Sequence, residues 1–267
     1  MNFAFMSFSC PELTFEEILK FAGDLGYVGV EPRVVSNHAH NIELDADADA
    51  RAEFRKQAED AGIAICCVAT SSQYADPESS QENVDDTLKY IDLAADLGSP
   101  RLRVFGGKMG DGLSRDQAID LVAESLSATA AHAEEKGVSI CIETHDDWCD
   151  PAHVAAVMKK VDHPNIAVNW DIMHPVRAVG STMDEAYDQL KPWVKHVHFH
   201  DGRTVDGKSE LCPVGEGNID HRRALELLMN DGWDGYMSGE WIGWEPHDVH
   251  LPRELEIMKG YEKELSG

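Results

Sequence analysis

The strongest constraint on this chain is an eightfold alternation of two hydrophobic periods. Short β-rich runs lie at about 3–9, 27–31, 63–70, 101–105, 138–143, 166–171, 194–200 and 235–241. Helical spacing takes over at 15–25, 50–61, 82–97, 115–136, 152–161, 183–189, 222–231 and 253–265. The first helical stretch, FEEILKFAGDL, is preceded by Thr14, with Glu17 three residues on, the spacing of a capping box. Gly26, Gly62, Gly98, Gly137 and Gly232 stand where a residue just past a helix end belongs. Strict strand–helix alternation predicts an α/β fold with a parallel sheet. Eight such units close into a barrel, which commonly takes about 250 residues as one domain. The 267 residues contain no low-complexity linker, so the expectation is a single (β/α)8 barrel domain over 1–267. An open doubly wound sheet would call for a glycine-rich phosphate turn after the first strand, and SFSCPELT has none.

In such barrels the chemistry sits at the C-terminal ends of the strands. Glu143 in SICIETH, Asp171 in AVNWDIMH, His198 in KHVHFHD and Glu240 in GYMSGEW end the fifth to eighth runs. Those strands are neighbours around the ring, so three carboxylates and one imidazole converge. The two-residue period of a strand agrees. With Glu143 facing inward, Cys141 and Ser139 share its face, and Ile140 and Ile142 face the helices. His198 takes His196 and His200 inward with it, and Glu240 takes Ser238 and Tyr236. Asp171 shares its face with Asn169 and leaves the bulky Trp170 outside. Each acid alone reads as a solvated strand end, and a lone strand histidine as core. Four ligand-type residues on four successive strands predict one divalent metal ion instead, Mn²⁺, Mg²⁺ or Co²⁺, with Zn²⁺ also compatible.

That donor set predicts metal-assisted chemistry on a polyhydroxylated carbonyl compound. A Lewis acid on a carbonyl and its neighbouring hydroxyl stabilises an enediolate. Glu143 and Glu240 are then the groups to remove and return a proton at carbon. Return to the other face of the same carbon is epimerisation, and return to the next carbon is isomerisation. Loss of a β-hydroxyl is dehydration, and these residues do not choose between the three. Glu31 and Arg103 point toward the lumen, either to bind substrate hydroxyls or as a buried ion pair. His145 is a hydrogen-bond candidate for a ligand or substrate. Trp148, Trp241 and Trp244 either wall the pocket or pack. The 215–217 turn either closes over substrate or is an ordinary tight loop.

The 49 acidic residues against 23 basic give a net charge of −26. A surface field of that sign repels nucleic acid and acidic membranes alike. MNFAFMSFSCPEL lacks the basic start and apolar length of a signal peptide, and no run approaches the roughly 18 apolar residues of a membrane span. The six cysteines form no C-x-x-C pair, which reads as reduced thiols in a cytoplasmic protein.

The segments GYVGVE, CIETH, WDIMH, HVHFHD, PVGEGNID and DGWDGYMSGEW together resemble the xylose-isomerase-like TIM-barrel superfamily of sugar isomerases and epimerases, along the whole chain. The resemblance implies that Glu143, Asp171, His198 and Glu240 are the four metal ligands. It aligns HVHFHD with a V-H-x-K-D pattern, so His200 stands at a lysine position. His174 matches a substrate-contacting histidine of the ketose 3-epimerases. The arginine those enzymes carry six residues after the metal histidine is replaced by Thr204, with Arg203 one position earlier. Substrate-binding candidates are therefore His174, His145, Arg203, Glu31 and Trp241. The implied activity is metal-dependent isomerisation or epimerisation of a non-phosphorylated sugar or cyclitol. Alternatives are an inosose- or 3-dehydroshikimate-type dehydratase on the same metal site, and a non-catalytic sugar-binding barrel. The DNA-repair endonucleases of this fold would need further metal ligands and a basic face. The resemblance also implies pairing into a homodimer or tetramer.

Overall fold

The expected strands pair in chain order into one parallel ring. The computed structural model describes residues 1–267, the side chain of Ser209 excepted. The ring comprises β1 (Asn2–Met6), β2 (Gly29–Glu31), β3 (Ala64–Ile65), β4 (Val68–Gln73), β5 (Arg101–Phe105), β6 (Ser139–Glu143), β7 (Ile166–Asp171), β8 (Val194–Phe199) and, last in the chain, β11 (Tyr236–Gly239). Its hydrogen-bonded order is β3-β2-β1-β11-β8-β7-β6-β5-β4, every pair parallel. The two ends of that order follow one another in sequence with only Cys66 and Cys67 between. The third strand is thus a single strand broken at two buried cysteines, and a bridge from Arg33 to Ala69 continues the pairing beyond the break.

The first strand is shorter than expected, because Ser7–Ser9 turns into a short 3-10 helix. A hairpin that the apolar pattern did not announce, β9 (Asp201–Val205) with β10 (Lys208–Cys212), rises from the end of β8 and pairs antiparallel. Arg203, Thr204, Lys208 and Glu210 on it are polar and exposed, and Val205 is exposed as well, so it carries no alternation of the buried kind.

Nine helices pack around the ring: α1 (Phe15–Leu25), α2 (Ala48–Ala61), α3 (Ser80–Asp96), α4 (Arg115–Lys136), α5 (Pro151–Val161), α6 (His174–Val179), α7 (Met183–Leu190), α8 (His221–Asn230) and α9 (His247–Ser266). The capping box before α1 forms as read, with Thr14 accepting from the Glu17 amide and Glu17 accepting from that of Thr14. Phe15, Ile18, Leu19 and Ala22 are the buried stripe of α1, at i, i+3, i+4 and i+7. Gly26 and Gly62 end their helices with φ of 87° and 67°, the left-handed geometry that favours glycine. The last helix starts six residues before the expected Arg253, because Pro252 lies inside it and reads as a boundary in the sequence.

The core lies between the ring's outer face and the helices. Ile140, Ile142, Val168, Trp170, Val197 and Phe199 supply that outer face, all without exposed surface. Burying one such aliphatic or aromatic side chain is worth about 1.5–3 kcal/mol. The six cysteines are buried and unpaired. No helix among the described residues is long and apolar enough to cross a membrane.

Candidate metal centre

Strand register brings the four acid and imidazole groups together. Asp171 sits opposite His198 across β7–β8, and His198 opposite Ser238 across β8–β11. Glu143 ends β6 opposite Asn169, and Glu240 follows the last residue of β11. Each of Glu143, Asp171, His198 and Glu240 offers one donor atom, and these atoms lie within 4.8 Å of one another. The four are 0 to 6% exposed.

Around them runs a network of buried charge. Arg103, which shares the inward face of β5, places its Nε 3.1 Å from Glu143 Oε2 and its Nη2 3.9 Å from Glu240 Oε1. His198 Nδ1 lies 3.2 Å from Glu143 Oε1 and 3.6 Å from Glu240 Oε2. On the other side of the ring, His198 Nε2 meets Glu31 Oε2 at 3.1 Å, and His196 Nε2 meets the same oxygen at 2.8 Å. Glu31 is fully buried beneath the cluster rather than at the mouth. Glu31 and Arg103, expected to bind substrate hydroxyls or form a buried ion pair, are each ion-paired with other residues: Glu31 with His196 and His198, Arg103 with Glu143 and Glu240.

Burial pushes Glu31, Asp171 and Glu240 up, and the surrounding cations more than offset it. Glu240 is held down at about 2 by the His198 hydrogen bond and charge and by the charges of Arg103 and His200. Glu31 and Asp171 likewise lie well below the carboxylate range, held by their histidines. His198 is raised well above its ordinary value, since Glu31 and Glu143 outweigh its desolvation.

Asp171 is held by its neighbours in a defined way. Its Oδ1 accepts from the backbone amides of Met173 (2.8 Å) and His174 (3.1 Å). Thr144, the residue after Glu143, donates from Oγ1 to the Asp171 carbonyl (3.1 Å) and accepts from the Asp171 amide (3.0 Å), locking β6 to β7. His200 Nε2 comes within 2.9 Å of Asp171 Oδ2. Neither this contact nor that of Arg103 Nε with Glu143 Oε2 is aimed along the N–H direction, so both carboxylate oxygens remain buried without a hydrogen bond. Buried carboxylate oxygens left open in a cage of three acids and one imidazole fit a hard or borderline divalent cation.

Three imidazoles line the rim beside the cage. His145 packs edge-on against His174 at 4.6 Å between ring centres, and His174 against His200 at 5.5 Å. His174 begins α6, with its Nε2 3.8 Å from Asp171 Oδ2. His145 pairs through Nδ1 with Asp146 at 3.1 Å. Burial lowers its pKa, but the Asp146 hydrogen bond and the Glu143 and Asp146 charges carry it to about 9.

Two expected substrate contacts fall elsewhere. Arg203 lies exposed on the β9–β10 hairpin and has no contact with the cage among the described residues. Trp241 follows Glu240 and so faces outward by the two-residue period, packing on Phe199 (5.4 Å) and His250 (5.0 Å) behind the ring. Trp148 is a packing residue whose Nε1 donates to the Gly107 carbonyl. The 215–217 turn is tied down: the buried Asp201 carboxylate accepts from the amides of Gly215, Gly217 and Ile219. Arg33, which no sequence pattern singled out, is buried at the end of β2, and one of its guanidinium donors reaches the Ala69 carbonyl at 3.3 Å.

A (β/α)8 ring carrying a three-carboxylate, one-imidazole cage at its strand ends defines a TIM barrel with a candidate metal centre at its C-terminal face. The family model described as Xylose isomerase-like TIM barrel matches residues 19–261, and the chain belongs to that family. A 3-dehydroshikimate dehydratase of Bacillus anthracis is 20% identical over 270 residues, covering 95% of this chain and 94% of that protein. The crystal structure of the probable 3-DHS dehydratase involved in petrobactin synthesis from Bacillus anthracis superposes with a TM-score of 0.81 at 19% identity, covering 97% of this chain and 99% of that one. A D-psicose 3-epimerase crystallised in the presence of D-fructose gives 0.79 at 16% identity over 100% of both chains. The IOLI protein with a bound zinc atom gives 0.80 at 15% identity over 99% of this chain and 98% of that one. At these identities the structural likeness establishes the fold.

Proposed function

We propose that this protein is a divalent-metal-dependent isomerase or epimerase of a non-phosphorylated sugar or cyclitol, acting through an enediolate. The whole chain, 1–267, serves as one barrel domain. The observation that carries the reading is the cage itself: four buried ligand-type side chains whose donor atoms lie within 4.8 Å of one another at neighbouring strand ends. Glu143, Asp171, His198 and Glu240 hold the ion, Mn²⁺, Mg²⁺, Co²⁺ or Zn²⁺. When bound, it supplies a Lewis acid that stabilises negative charge on a substrate carbonyl oxygen.

The remaining chemistry belongs to the chain. Glu143 and Glu240 carry the proton to and from the carbon beside the carbonyl, each through a carboxylate oxygen. Arg103 spans both carboxylates and holds them in position. His174 and His145, on the rim, bind substrate hydroxyls. Glu31 holds His198 rather than substrate. The guanidinium groups nearest the cage, Arg103 and Arg33, are committed to carboxylate and carbonyl partners, which favours a neutral substrate over a phosphorylated one.

Dehydration on the same site is a second reading with its own support. The 3-dehydroshikimate dehydratase matches along nearly the full length of both chains. His145, charged at neutral pH beside Asp146, is suited to protonate a departing hydroxyl. Product analysis by NMR separates the two, using ketoses, aldoses, inososes and 3-dehydroshikimate with added metal. An inverted or shifted carbinol supports isomerase or epimerase chemistry. A new double bond with loss of water supports dehydration. Unchanged substrates on a metal-loaded protein contradict both.

A further inference from the structure

Glu31 can orient the cage imidazole only if its own carboxylate is held in one rotation. The contact with His198 does not supply that. His198 Nε2 stands almost equally far from the two oxygens, 3.2 Å from Oε1 and 3.1 Å from Oε2. A forked contact of this kind is compatible with the carboxylate turning about its own axis and carrying the imidazole with it.

His196 breaks the symmetry. It lies two residues before His198 on β8 and shares its inward face. Its Nε2 is 2.8 Å from Glu31 Oε2, the shortest contact that the carboxylate makes. Among the described residues, the Glu31 oxygens have no hydrogen-bond partner besides these two histidines. The two imidazoles also pack edge-on, with ring centres 5.3 Å apart and planes at 78°. Glu31, His196 and His198 are all 0% exposed, so water does not compete for these contacts.

The other side of the His196 ring shows what this residue is there for. An ionised carboxylate only accepts, so Nε2 carries the donated proton. The remaining nitrogen, Nδ1, is buried without a partner. An unpaired buried polar atom is destabilising, and an apolar side chain in the same place would avoid it. What an apolar side chain lacks is the one donor to Glu31. We infer that His196 is a positioning residue for the metal centre: through Glu31 it fixes the ring of His198, and with it the direction of the Nδ1 lone pair toward the cage. The inference rests on the proposed metal-binding role of His198. His196 itself touches neither the ion nor the substrate.

Calorimetric titration of the full chain with Mn²⁺ tests it in two variants. His196→Met fills the volume without a donor, and His196→Gln keeps an N–H of similar reach. The expected result is affinity about tenfold weaker in His196→Met, the low end of the usual loss for an outer partner, and restored to within about threefold of the parent in His196→Gln. His196→Asn, whose amide is one bond shorter and stops short of Glu31, should behave like His196→Met, so the comparison stands even where the methionine variant does not fold. Proton NMR of the Zn²⁺-loaded protein gives a second readout. The His198 Nε2 proton should exchange with solvent faster in His196→Met or His196→Asn than in the parent or in His196→Gln. Mn²⁺ binding by the parent with unchanged affinity in His196→Met and His196→Asn overturns the inference and leaves the cage standing. Equal weakening in all three variants with unchanged exchange also overturns it, because packing alone would then account for the loss. A parent that binds no Mn²⁺ contradicts the cage, and this inference with it.

Discussion

Glu31 Oε2 and His198 Nε2 lie 3.1 Å apart, both side chains fully buried, 167 residues apart in the chain. An ionised carboxylate only accepts, so Nε2 carries the proton, and Nδ1 is the nitrogen turned toward Glu143 and Glu240. The contact orients the one imidazole of the cage. Glu31→Gln is therefore expected to weaken Mn²⁺ binding by roughly 10–100-fold, the usual effect of losing such an orienting partner. Calorimetric titration checks it, and unchanged affinity contradicts the assignment.

Arg103 lies between two buried acids, Glu143 and Glu240. Removing one partner of a buried charge pair commonly costs about 3–5 kcal/mol. Arg103→Met should lose about that much in metal-free urea unfolding. Saturating Mn²⁺ should then stabilise the variant more than it stabilises the parent, because the cation takes over the neutralisation. Equal stabilisation of both would contradict the shared cage.

His40 offers a pH signature away from the cage. It is 2% exposed, and its Nδ1 accepts from the Ile42 amide at 3.0 Å. Burial, helped by the charge of His38, lowers it from the usual 6.5 to about 4. Above pH 6.5 both folded and unfolded chains are neutral there, and the residue costs nothing. As pH falls toward 4 the unfolded chain binds a proton that the folded chain refuses, so up to about 3 kcal/mol of stability is lost. His40→Asn, which keeps an acceptor for Ile42, should lose less stability over that window in urea unfolding. Parallel pH profiles would contradict it.

Asp201 stitches the β9–β10 hairpin to the turn at 215–219, accepting from Gly215 (2.9 Å), Gly217 (3.0 Å) and Ile219 (3.3 Å). Asp201→Ala leaves those amides without an acceptor, at a cost of about 1–3 kcal/mol for each group that stays buried. Hydrogen exchange at Gly215 and Gly217 should accelerate well before the ring strands respond. Exchange unchanged at those amides would show that the turn is held by something else.

Much of the site was legible because strand chemistry is local. Facing Glu143 inward assigned Ile140 and Ile142 to the helices, and both are fully buried there. The same rule, applied to Glu240, turns Trp241 away from the lumen, and the structure has it behind the ring. Other features depend on contacts between distant segments. Glu31 and His198 meet only because β2 and β8 face each other across the lumen. The break at Cys66 and Cys67 lies inside an apolar run with no turn residue to mark it. The β9–β10 hairpin is exposed over most of its length and mostly polar there, so Arg203 reads as available to the site while its backbone is committed to a surface ribbon.

The central claim is proton transfer at carbon beside a carbonyl, carried by Glu143 and Glu240. The most direct measurement is deuterium wash-in by NMR, in D2O with Mn²⁺, Mg²⁺ or Co²⁺ and a panel of ketoses, aldoses and inososes. The account predicts deuterium at a carbon next to the carbonyl of at least one substrate, and its loss in both Glu143→Gln and Glu240→Gln. Stoichiometric metal binding with no exchange into any substrate, or exchange that survives both substitutions, would contradict it.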